Sequence, residues 1–380
     1  MSGLATVWLA LIFAAAVAAT WAAGVVLSKS TDALDARLGL GEDIGGIILL
    51  AIAGSLPELA ITVSAAAGGN LPLAAGNLIG GIAVQTMVLV LCDVVAGERP
   101  LSYLVGRLTP VLEGLLVVLV VSGVLMGSLL KESTTIGFGI SPASVAIVVV
   151  WIVGIYVINR TRSSSPWRVE MPGSRPGRRH HREPHEVEQH PYAGRTTRTV
   201  GLIFGGACLV TLVAGVFLEV AGNTLANRAG INGVIFGATI LATATALPEI
   251  SSGIAAVRLG DNALAIGDIF GGNAFQVCLF VVADVIAGKA VLPSAGRENS
   301  WLASLGVALT AIYAIGVIGR PYRTFARLGP DSLLATRCSG SASPACSSCR
   351  RTDRHLRWSS RPSGSCSAAG ATRTTSRLPG

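Results

Sequence analysis

Ala53-Gly54-Ser55-Leu56-Pro57-Glu58 and Ala244-Thr245-Ala246-Leu247-Pro248-Glu249 are two copies of one pattern, 191 positions apart in a single chain. The same offset carries Gly80-Gly81 onto Gly271-Gly272, Gln85 onto Gln276, Asp93 onto Asp284 and Ala96-Gly97 onto Ala287-Gly288. No gap is needed between the first and last of these pairs. Each copy places a proline and a carboxylate inside a long apolar stretch. A charge at that depth is costly, so its repetition asks for a functional reason.

Outward from these stretches the chain stays apolar. Of its 380 residues 51% are hydrophobic and 13% charged, a balance that excludes an ordinary soluble domain. Apolar runs of about 20 residues recur, the length a helix needs to cross a bilayer. They are too long and too continuous for barrel strands. The expected fold is therefore all-α, a polytopic transmembrane bundle of about 9–10 helices. Spans are expected at about 4–28, 43–67, 72–96, 103–130, 142–159, 199–221, 232–258, 262–288 and 299–319. The first run lacks a basic leader and is long for a signal peptide, so it reads as a span.

The net charge of +8 arises from arginines in loops and tail, not from a nucleic-acid-binding face. With the N-terminus outside, Lys29, Arg37, Arg99, Arg107, the central loop, Arg258, Arg320, Arg323 and Arg327 all fall on the cytoplasmic side. The outer side keeps Lys131, Arg228, Lys289 and Arg297. This asymmetry favours an N-out protein of the plasma (inner) membrane. Five spans separate the starts of the two copies, so the second enters from the opposite side. That is an inverted-topology repeat, an architecture of secondary transporters.

The halves are expected at 4–159, with its repeat at about 43–97, and 199–335, with its repeat at about 234–288. Between them lies a hydrophilic cytoplasmic linker, 160–198. Its His180, His181, Glu183, His185, Glu186, Glu188 and His190 match no standard metal spacing, which leaves a solvated linker as the first reading and a regulatory metal site as the second. Cys92, Cys208 and Cys278 read as packed thiols. Cys346-x-x-Cys349 has no second half and is weak evidence for a site. Residues 329–335 open a tenth helix. From Thr336 the composition turns abruptly to Ser, Arg, Cys and Thr. Residues 336–380 read as a disordered or frameshifted tail, with the tenth helix lost or altered.

Candidate site residues follow from the repeat. Pro57 and Pro248 have no N–H for the carbonyls of Ala53 and Ala244, which are freed at membrane depth. Glu58 and Glu249, brought together by the repeat axis, would neutralise one divalent cation, and oxygen-rich sites suit hard cations such as Ca²⁺. Gln85 and Gln276 offer amide oxygens to an ion or hydrogen bonds between helices. Ser55, Thr243 and Thr245 offer hydroxyls to an ion or to their own helices. Gly76-x-x-x-Gly80 and Gly267-x-x-x-Gly271 are packing stripes. Asp268, where the first copy has Asn77, tunes ion selectivity or caps a half-helix. Asp93 and Asp284 are expected at the membrane interface.

These motifs resemble those of the cation/calcium exchanger superfamily, which includes the sodium/calcium exchangers. Its two inverted repeats carry a Gly-Thr-Ser-Leu-Pro-Glu-like helix and a Gly-Asn-x-x-Gly-Ser-Asn-like helix. The second motif stands here as Gly76-Asn77-Leu78-Ile79-Gly80-Gly81 and as Gly267-Asp268-Ile269-Phe270-Gly271-Gly272-Asn273. The resemblance covers about residues 4–335. It implies ten helices, a central Ca²⁺ site at Glu58 and Glu249, and hydroxyl ligands at Ser55 and Thr245. Gly54, Ala246, Gly81 and Gly272 stand where other hydroxyls are usual, and Gln85 and Gln276 replace Asn or Asp, so flanking sodium ligands are missing.

The implied activity is Ca²⁺/Na⁺ antiport by alternating access. H⁺/Ca²⁺ antiport and a cation channel or sensor without coupled exchange are the alternatives. The partners are Ca²⁺, a monovalent counter-ion and lipid, with no cofactor and no nucleic acid. An intramembrane hydrolase is set aside, because no Gly-x-Gly-Asp-like motif is found, and the chain is read as no enzyme. No motif specifies an oligomeric state.

Overall fold

The computed structural model describes residues 3–38, 51–131, 133–164, 192, 194–325 and 327–340. Among them the chain is helical, and seven helices are long and apolar enough to cross a membrane, or eight with one bent pair. In order, α1 spans Thr6–Leu38, and α2 comprises residues 51–54 and Leu56–Ala67. Then come α3 (Leu71–Ala96), α4 (Thr109–Ser128), α5 (Pro142–Ser164) and α6 (Thr197–Arg228). The bent pair is α7, Gly233–Thr245 then Leu247–Arg258, with 44° between its parts. After it come α8 (Asn262–Gln276 and Leu279–Ala287), α9 (Gly296–Gly319) and α10, residues 330–340.

Several spans differ from their expected bounds. The first continues ten residues past position 28, so Lys29 and Arg37 lie on helix rather than in a loop. Arg37 donates from both guanidinium ends, to Arg195 O at 2.7 Å and Tyr192 O at 2.6 Å. At the other end Arg228 donates to Thr6 Oγ1 at 2.9 Å and Leu4 O at 2.7 Å. Both contacts tie α1 to α6, and both lie outside an apolar run, where hydropathy alone stops reading. The fourth span starts at Thr109, not 103, after a short turn of helix at Leu101–Leu104. A short helix, residues 330–340, stands where the opening of a tenth helix was expected and continues past the change of composition at Thr336, without the length of a membrane span. Its Ser332 lies 3.0 Å from the Tyr313 hydroxyl of α9, and Ala335 is buried. Residues 165–191, with the linker histidines, and 341–380 lie outside the described residues.

α3 and α8 are the most buried spans, whereas α1, α5 and α6 present most of their surface outward. The centre of the bundle is therefore built from the repeat helices. Small residues make this possible. A side chain on Gly80 would run into the Ala238 backbone, and one on Gly76 would meet Val234 O at 2.8 Å. The stripe on α3 thus lets α7 approach to backbone contact, as expected of a membrane packing surface. The facing stretch of α7, Gly237–Leu241, is a π-helical turn, a distortion frequent at functional sites.

The repeat also appears in the packing. Gly24 of α1 lies against the Pro248 ring of α7. Its counterpart 191 positions on, Gly215 of α6, lies against Pro57 O and Ala60 of α2. Each outer helix thus seats on the proline break of the other half.

The two aspartates, near the ends of their helices, are buried within the protein. Asp93 accepts from Leu101 N (2.6 Å) and from Gly329 N at the start of α10. Asp284 accepts from Val291 N (2.7 Å), Ser141 N (2.9 Å) and Ser144 Oγ (2.7 Å), the last two at the start of α5. Each carboxylate holds the turn after its own helix and the start of the final helix of the other half. Unpaired backbone N–H groups in these corners would be costly, and that explains the burial of both acids.

Candidate cation site

Both Leu-Pro-Glu motifs sit at a helix break. Ser55 and Ala246 are turn residues between two helical pieces, and new helices begin at Leu56 and Leu247 with proline in the first turn. Proline suits that position because a first-turn N–H has no intrahelical partner. Glu58 and Glu249 therefore occupy the first turn of a helix, where the positive end of the dipole favours a carboxylate. The preceding half-helices end at the same break with their carbonyl ends. Pro57 and Pro248 have no N–H to give the carbonyls of Ala53 and Ala244, four residues earlier.

Glu58 is fully buried. Its Oε1 accepts from Gln85 Nε2 at 3.1 Å, and its Oε2 has no hydrogen-bond partner among the described residues. Thr245, from the other repeat, faces this carboxylate. The Thr245 hydroxyl also donates to Ala242 O at 3.2 Å. Glu249 is half-buried as a residue, but its Oε2 is shielded and likewise without a partner. It lies within Coulombic reach of Glu58 and of Asp268. The two glutamates thus lie within Coulombic reach of each other, one from each repeat, and each has one oxygen with no hydrogen-bond partner among the described residues.

The remaining candidates divide. Ser55, Ala53 and Ala244 are buried beside the breaks. Gln85 joins Glu58. Gln276 does not mirror it: its Nε2 donates to Leu78 O at 2.8 Å and Asn77 O at 3.5 Å, across to α3. Its Oε1 is buried and has no partner. Gly81 explains the arrangement. Any side chain there would run into Gln276 Nε2, so glycine stands opposite glutamine because the amide fills the space. Asp268 accepts from Ser252 Oγ at 3.0 Å, one turn beyond Glu249. Thr243 is exposed and donates to Thr239 O at 2.7 Å, the bond to its own helix. Cys92 and Cys278 are buried free thiols.

Two asparagines of the repeat motifs, to which the sequence assigned no role of their own, lie beside the glutamines. Asn273 donates to Thr86 Oγ1 at 3.1 Å, linking α8 to α3 beside the glutamines. Asn77 is fully buried, and neither side-chain polar atom has a partner among the described residues. Their places in the Gly-Asn-x-x-Gly-Ser-Asn-like motif were the signal for both.

A helical membrane protein built of two repeats, joining a carboxylate from each at a pair of helix breaks, is the class that these elements define. The chain belongs to the sodium/calcium exchanger protein family, which matches residues 8–160 and 198–341. Among curated relatives, a candidate antiporter CaxA of Alkalimonas amylolytica is 25% identical over 276 residues, covering 72% of this chain and 79% of that one. The inner membrane protein YrbG of Escherichia coli (strain K12) is 27% identical over 243 residues, covering 63% and 68%. The H⁺/Ca²⁺ exchanger CAX has a similar fold, at a TM-score of 0.62, 14% identity and 92% coverage of both chains. So has the sodium-calcium exchanger NCX_Mj, at 0.56, 14% identity, and 90% and 99% coverage.

Proposed function

We propose that this protein exchanges Ca²⁺ for a monovalent cation across the membrane by alternating access, with Glu58 and Glu249 holding the divalent ion. The observation that carries this reading is the pairing of the two glutamates at the breaks. Each has a shielded oxygen without a protein donor. A dehydrated Ca²⁺ takes six to eight oxygens at about 2.3–2.6 Å. The carbonyls of Ala53 and Ala244 and the hydroxyls of Ser55 and Thr245, on the two breaks, would supply further oxygens. Asp268 adds a charge next to Glu249 and favours a cation there.

Na⁺ is the counter-ion that the family name supplies. A second reading, H⁺, rests on a specific observation. Gln276 Nε2 stands where a side chain on Gly81 would begin, so a flanking hydroxyl there, expected of a sodium ligand, would require the amide to leave Leu78 O. In that reading the two glutamates themselves take the protons when Ca²⁺ leaves.

The test is Ca²⁺ flux in vesicles under imposed gradients. Antiport predicts that an opposing Na⁺ or H⁺ gradient drives Ca²⁺ uphill. The gradient that does so names the counter-ion. Flux that only runs down the Ca²⁺ gradient, indifferent to both ions, would establish a channel and reject exchange.

A further inference from the structure

One corner of the molecule carries a chemistry that the cation site does not use. The turn after α3, residues 97–108, and the segment between α9 and α10, residues 320–329, are held together side by side. Arg320 donates from Nη2 to Tyr103 O at 2.8 Å, and its guanidinium lies 4.9 Å from the centre of the Tyr103 ring. Tyr103 and Tyr322 meet edge to face at 5.4 Å. The Arg99 guanidinium sits 5.6 Å from both rings. Thr324 donates to Glu98 O at 3.4 Å. Arg99, Arg107, Arg323 and Arg327 are exposed, as are Tyr322 and Phe325. Glu98 is the only acid in these two segments.

The repeat supplies an internal control. The corner related by 191 positions is built on Asp284 as this one is built on Asp93, so both serve the fold. At that second corner Arg99 is replaced by Ala290, Tyr103 by Ser294 and Arg107 by Glu298. Arg320, Tyr322, Arg323 and Arg327 are replaced by Leu129, Lys131, Glu132 and Ile136. The arginine–tyrosine cluster is therefore not what the corner needs in order to fold. It belongs to one face of the membrane only.

We infer that this corner binds the phosphate headgroup of an anionic phospholipid. Tyrosine rings settle at the headgroup level of a bilayer. Arginine forks match phosphate oxygens with two parallel donors. Stacking against two rings holds Arg99 in place before a ligand arrives, and Arg320 Nε has no acceptor among the described residues. The exposed Phe325 and Tyr322 extend the surface toward the acyl chains. Membrane anchorage fits a lipid better than a soluble phosphate, because the site opens at the ends of spanning helices.

The experiment takes the full chain from membranes of phosphatidylcholine mixed with phosphatidylglycerol and counts retained lipids by native mass spectrometry. The wild type should retain phosphatidylglycerol in preference. The variant Arg99→Gln/Arg323→Gln/Arg327→Gln removes three exposed arginines and no hydrogen bond within the corner. At about fivefold per arginine, its preference should fall on the order of a hundredfold. The variant Lys131→Gln/Lys289→Gln/Arg297→Gln, at the opposite corner, should keep it. Equal retention by the first variant, or equal loss in the second, overturns the inference. So does displacement of the lipid by soluble glycerol phosphate at concentrations that leave other bound lipid in place. Thermal unfolding shows whether each variant is folded. If the first is not, Arg323→Gln/Arg327→Gln alone carries the test, with a loss of about twenty-five-fold expected.

Discussion

Gly81 and Gln276 show how one position constrains another across the repeat. With a serine at 81, the Gln276 amide must leave Leu78 O, and a buried hydrogen bond is lost. Gly81→Ser should therefore destabilise the protein by about 1 kcal/mol in thermal unfolding in detergent. In a Gln276→Ala background the same serine should cost nothing. Equal costs in both backgrounds would mean that the amide is not what excludes it. The glutamates were legible at this scale because a repeated carboxylate in an apolar run has few structural explanations. The different roles of Gln85 and Gln276 were not legible. The two glutamines are equivalent in sequence, and only the packing decides that one turns to Glu58 while the other turns to the backbone of α3. The hydrogen bonds of Asp93 and Asp284 were not legible for a related reason. A carboxylate at the end of an apolar run looks interfacial unless the N–H groups folded over it are known.

At the scale of elements, the two aspartate corners hold α10 and α5 to the opposite halves. Asp284→Ala would strand Ser141 N, Val291 N and the Ser144 hydroxyl, and should cost about 3 kcal/mol or more of stability. Asp93→Ala should do the same through Leu101 and Gly329. Either variant unfolding at the wild-type temperature would show that water replaces the carboxylate, contrary to the burial seen. The seats of α1 and α6 on the prolines are tight, since a side chain on Gly24 runs into Pro248. Gly24→Leu should lower thermal stability by about 1–3 kcal/mol through overpacking, and an unchanged midpoint would mean that α1 is not held there. The existence of the spans was plain from hydropathy. Their ends were not: the last turns of α1 are held by the hydrogen bonds of Arg37, and α4 begins only after the separate turn at Leu101–Leu104.

For the whole molecule, inverted repeats bring two chemically equal half-sites to one depth and then break their symmetry. Asp268 faces Glu249 where the first copy has a neutral asparagine, and Glu58 is the more deeply buried of the two glutamates. Sequence spacing alone established that the copies run in opposite directions. The meeting of their glutamates needed the structure, because nothing in the spacing says which faces of α2 and α7 look inward. The account stands on that meeting. Its most direct test is radiolabelled Ca²⁺ exchange in vesicles holding the wild type, Glu58→Gln or Glu249→Gln. Glutamine keeps the shape and removes the charge, so each variant should insert and fold yet lose exchange to the level of empty vesicles. Normal uptake in both variants would contradict the assignment of the two glutamates to the transported ion.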